Sequence, residues 1–84
     1  MLDKSTISQK VREYIIDSTF TDASKIVEES MIFKEGYLDS MGLVSLISFL
    51  ESEFGISTQD RDLIEENFES INAISAYVLV KKSA

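Results

Sequence analysis

Few residues of this 84-residue chain could do chemistry, and the types that are missing narrow the field first: there is no Cys and no His. Thiolate attack, a Ser-His-Asp relay and most zinc sites each need one of those side chains, so all three fall away. Carboxylates are plentiful, yet Glu51 with Glu53 and Glu65 with Glu66 fall on polar helix faces, without a pocket that would suit acid–base work. Asp60-Arg61-Asp62 lacks the glycine and the closing acidic residue of a calcium loop, and no metal site is expected. Tyr14, Tyr37 and Tyr77 read as packing residues. One hydroxyl stands apart. Ser40 directly follows Asp39, at the end of a long connection and the start of the most amphipathic segment. There, free backbone N–H groups and the positive end of the helix dipole would favour a phosphate ester. Asp17-Ser18 is the same dipeptide but falls at the C-terminal end of a helix. The plainer reading makes Asp39 or Ser40 an N-cap and nothing more.

The elements that must position Ser40 follow from apolar spacing. Residues 6–18 read as a helix, with Thr6 as N-cap, Gln9 completing a capping box, and Ile7, Val11, Tyr14 and Ile15 on one stripe. Residues 40–54 give the strongest signal: Leu43, Leu46, Ile47, Leu50 and Phe54 share a face, and Gly55 stands where a helix commonly stops. Ser70 can cap a third long helix over 71–82, with Ile71, Ile74, Tyr77 and Val78 inward and Lys81 and Lys82 suited to its last turn. A short helix is expected over 60–66. Residues 20–39 remain as a loop whose Ile26, Val27, Met31, Phe33 and Leu38 would pin it across the bundle, with a helical turn near Ser24–Glu29. The expectation is one all-α domain over 1–84: a small antiparallel bundle of three long helices plus one short helix.

Met41 and Val44 are left over once the core face of 40–54 is assigned. They form an apolar docking patch beside Ser40, rimmed by Glu35, Asp39, Glu51 and Glu53, or else they pack beneath the loop. Gly42 would leave room for a tethered group or an approaching partner. Charge is uneven: residues 35–69 hold nine acidic side chains against Arg61 alone, within a total of −7. Such a segment repels nucleic acid and anionic lipid and attracts basic partner surfaces. No apolar run approaches a membrane span, and Met1 to Ser5 lacks a signal-peptide layout. A monomeric cytoplasmic protein is expected.

At these residues the sequence resembles the acyl carrier protein family. The likeness runs from Val11 and Ile15, through Ile26, Phe33, Gly36 and Leu38-Asp39-Ser40, to Leu46, Leu50-Glu51, Glu53-Phe54-Gly55-Ile56, and on through Asn67-Phe68, Ser70-Ile71, Ile74 and Tyr77-Val78. It implies the family's helical bundle with a long first loop. It also implies that a carrier-protein synthase (a phosphopantetheinyl transferase) attaches 4′-phosphopantetheine from coenzyme A to Ser40, with Asp39 helping to present it. The terminal thiol would hold an acyl or aminoacyl thioester, supplied by an adenylating enzyme and passed to downstream acyl or aminoacyl transferases. The protein itself would be no enzyme. Two departures point away from fatty-acid synthesis: Gly42 and Ser45 stand where those carriers place acidic residues, and Gly36 lies four rather than three residues before the serine. Leu38 to Gly42 looks more like carriers of specialised pathways, D-alanyl and other aminoacyl carriers among them. The competing reading is a small acidic helical interaction module without a prosthetic group.

Overall fold

The computed structural model describes residues 3–83, so Met1 and Leu2 of the expected leaderless N-terminus lie outside it. Helix α1 spans Lys4–Thr19, α2 Ser40–Phe54, α3 Glu65–Phe68 and α4 Ile71–Ser83, with 3-10 turns at Ala23–Lys25 and Asp60–Asp62. No strand occurs among the described residues, and the all-α class holds. Ile7, Val11 and Ile15 of α1, Leu46, Leu50 and Phe54 of α2, and Ile71, Ile74 and Val78 of α4 form the core. Leu43 and Ile47 pack only partly against it. A hydroxyl pair joins α1 to α4: Ser8 donates to Ser75 Oγ (2.8 Å), which donates to the Ile71 carbonyl (2.7 Å).

Helix α1 starts earlier than the capping-box reading placed it. Asp3, not Thr6, is the N-cap, and its carboxylate accepts from the Thr6 N–H at 2.8 Å. Aspartate at that position outcompetes threonine three residues further in, because it caps nearly one extra turn of helix. The helix ends on Phe20 in the left-handed region (φ 55°), a residue 93% exposed. Helix α2 ends as expected on Gly55 (φ 66°), whose N–H donates to the Glu51 carbonyl. Ser70 caps α4 through the Ala73 N–H at 3.1 Å.

The short helix expected over 60–66 is two pieces. The Asp62 carboxylate turns back to accept from the Gln59 N–H (3.0 Å), the Tyr77 hydroxyl (3.1 Å) and Lys81 Nζ (3.0 Å). That closes a 3-10 turn, and Leu63 and Ile64 pass in non-helical conformation before α3. The long loop is pinned by Ile26, as expected, with Phe33 and Leu38 partly packed, and also by Ile32, while Val27 points to solvent instead. Arg12 donates to the carbonyls of Ile26 (2.9 Å) and Ala23, and the Ile32 N–H donates to the Glu69 carbonyl at 3.0 Å. Ile32 has no periodic partner in sequence that would have marked it as core.

Candidate functional site

Ser40 is the first residue of α2 and is exposed, with Asp39 before it as N-cap. The Asp39 carboxylate accepts from the Gly42 N–H (2.9 Å), and its carbonyl accepts from the Leu43 N–H (2.9 Å). The N–H groups of Ser40 and Met41 fall in the first turn, where no intrahelical acceptor exists. A phosphodiester on the Ser40 hydroxyl would meet these donors and the positive end of a 15-residue helix. The residues present therefore fit such a group.

Gly42 does something other than leave room. A Cβ there would stand 3.0 Å from Leu38 Cδ2 and 3.1 Å from Leu38 Cβ. Its missing side chain is occupied by Leu38, which lets the incoming chain close against the first turn of α2. The choice left open for Met41 and Val44 is resolved as well. Both are exposed, at 74% and 61%, rather than packed beneath the loop.

The acidic rim is dispersed. Glu35 caps a loop turn, accepting from the Met31 N–H at 2.7 Å. Glu51 accepts from the Thr58 N–H (2.8 Å), and Glu53 pairs with Lys10 at 2.8 Å. Glu51 and Glu53 lie eleven and thirteen residues along α2 from Ser40, roughly 16 and 20 Å away along the axis. Of the expected docking residues, Asp39 as N-cap and Met41 and Val44 in the helix lie within about a turn of the serine.

Two concavities flank this end of α2. One, of about 240 Å³, is lined by Phe33, Leu43, Leu63, Ile64, Glu65 and Phe68, almost wholly apolar. The other, of about 540 Å³, lies between the end of α1, the loop and the start of α2, and includes Ser18, Tyr37, Asp39, Met41 and Ser45.

The sequence profile of the phosphopantetheine attachment site matches residues 9–78. The acyl carrier protein of Thermotoga maritima is 32% identical over 78 residues, covering 93% of this chain and 94% of its own length. That of Thermosynechococcus vestitus is 28% identical over 83 residues, covering 99% of this chain and 100% of its own. The chain belongs to the acyl carrier protein family. It is a non-catalytic carrier with covalently attached 4′-phosphopantetheine, which decides against an interaction module lacking the group. A carrier requires partners: a phosphopantetheinyl transferase and acyl transferases. No described helix is long and apolar enough to cross a membrane.

Proposed function

We propose that Ser40 anchors the prosthetic group and that the carrier serves a specialised pathway, holding an acyl or aminoacyl cargo as a thioester. The observation that carries this reading is the exposed Ser40 hydroxyl on the first turn of α2, behind an Asp39 cap and beside unbonded N–H groups. The arm would supply the thiol that this Cys-free chain lacks. Asp39 orders the turn that presents the hydroxyl, and exposed Met41 and Val44 give the transferase and the loading enzyme an apolar foothold. Glu35, Glu51 and Glu53 contribute to the acidic field that orients basic partners rather than to a contiguous rim. Gly42 and Ser45, where fatty-acid carriers are acidic, support a specialised role. We read residues 1–84 as one monomeric carrier domain working in the cytoplasm.

Incubation with coenzyme A and a promiscuous carrier-protein synthase tests the anchor. Intact mass should rise by one phosphopantetheinyl group in the wild type and not at all in Ser40→Ala. Modification of Ser40→Ala, or none of the wild type where a control carrier is loaded, overturns the assignment. Loading by an amino-acid-adenylating enzyme rather than a fatty-acyl one identifies the cargo class.

A further inference from the structure

Helices α1 and α2 run antiparallel along a seam whose successive rungs lie four residues apart on each helix. Lys10 pairs with Glu53 on the first rung. Tyr14 stacks on Phe49 on the second, with ring centroids 4.3 Å apart and planes 17° apart. The next rung in this register pairs Ser18 with Ser45, and both line the 540 Å³ groove that also takes in Asp39 and Met41 on either side of Ser40. The first two rungs are filled by long side chains that meet. On the third, two small side chains leave the seam open.

We propose that this groove between α1 and α2 is the resting place of the loaded arm, and that it suits a short aminoacyl cargo. The proposal rests on Ser40 being the anchor and adds where the arm lies and which cargo it favours. The first argument is polarity. A phosphopantetheine arm carries amide groups that need donors and acceptors wherever they leave water. Hydroxyls supply both, and the exposed Ser18 and Ser45 offer theirs in the groove, with the Tyr37 ring as a wall. The apolar concavity on the other side of α2 offers the Glu65 carboxylate as its one charged group, and its 240 Å³ lies below the ~300 Å³ at which ligand pockets begin.

Charge decides the cargo. Asp39 is the one ionisable acid in the groove, and no Lys or Arg lines it. Past Tyr14 the seam continues between Glu13, Asp17 and Glu53, with Lys10 already held by Glu53. A carboxylated acyl group would meet a net negative lining along the seam, whereas the ammonium of an aminoacyl thioester would be attracted.

Synthase-catalysed transfer from coenzyme A carrying glycyl, malonyl or octanoyl groups gives three loaded forms, whose intact masses first establish attachment at Ser40. Failure at that stage overturns the anchor, and this inference with it. With attachment in hand, amide shifts between the apo and glycyl forms should change at Ser18, Thr19, Tyr37 and Ser45 and stay unchanged at Leu63, Ile64 and Phe68. The malonyl form should perturb the groove less than the glycyl form. In a Ser18→Ala/Ser45→Ala double variant with unaltered thermal midpoint, the glycyl-induced shifts at Thr19 and Tyr37 should fall at least twofold. Shifts centred on Leu63, Ile64 and Phe68 with glycyl cargo, shifts at neither groove, or equal effects of malonyl and glycyl would each sink the proposal. The octanoyl form should move the apolar side instead; octanoyl shifts confined to the Ser18–Ser45 groove would show that the groove does not select by polarity.

Discussion

At the residue scale, the turn that presents Ser40 depends on one carboxylate and one absent methyl group. Asp39 holds the Gly42 N–H at 2.9 Å, and capping bonds of this kind contribute about 0.5–2 kcal/mol. Asp39→Ala should lower the free energy of unfolding by that much in urea, and Asp39→Asn should retain most of it. Equal losses in the two variants would mean that charge at the helix end, rather than the cap bond, is what matters. The caps were legible in sequence at Asp39, Gly55 and Ser70 because a cap is a local arrangement of a few neighbouring residues. The role of Gly42 was not legible. Leu38 reaches it only because the Tyr37 and Leu38 N–H groups both donate to the Ile32 carbonyl, a closure that no spacing rule describes.

At the scale of elements, the three long helices were readable from their apolar stripes, whereas the segment between α2 and α4 was not. Its conformation is set by Asp62, whose partners Tyr77 and Lys81 lie fifteen and nineteen residues away. The Gln59 N–H, then the Lys81 ammonium and the Tyr77 hydroxyl, hold the Asp62 carboxyl below the usual carboxylate range, against the opposing effect of its partial burial. Desolvation first, and then the bond to Asp62, raise the Tyr77 hydroxyl. A lowered folded-state pKa means that the Asp62 contribution is complete above the unfolded value near ~4. It is lost as pH falls through the lower folded value. The gap in urea midpoint between wild type and Asp62→Asn should therefore be constant from pH 6 to 7 and close under acid conditions. A gap that widens on acidification would show that Asp62 does not stabilise the fold as its charged form.

On the scale of the whole molecule, a net charge of −7 is spread over a body measuring 33 × 27 × 20 Å. Two ion pairs, Lys10–Glu53 and Lys81–Asp62, are present among the described residues. Raising ionic strength from ~0.01 to ~0.15 M shortens the screening length from ~30 to ~8 Å, within the span of the molecule. Self-repulsion should then relax, and the thermal midpoint of the apo carrier should rise with sodium chloride. A falling midpoint would mean that the two pairs outweigh the repulsion. The bundle itself was legible from sequence, but the register of α1 on α2 was not, because Tyr14–Phe49 and Lys10–Glu53 join residues on helices separated by the long loop. That register has a mechanical consequence. Both side-chain fastenings to α1 grip α2 in its distal half, whereas the half that carries Ser40 is held from its core face, by buried Leu46 and partly packed Leu43. The outer flank beside the hydroxyl therefore lacks a side-chain latch to α1, and an arriving enzyme finds it unobstructed.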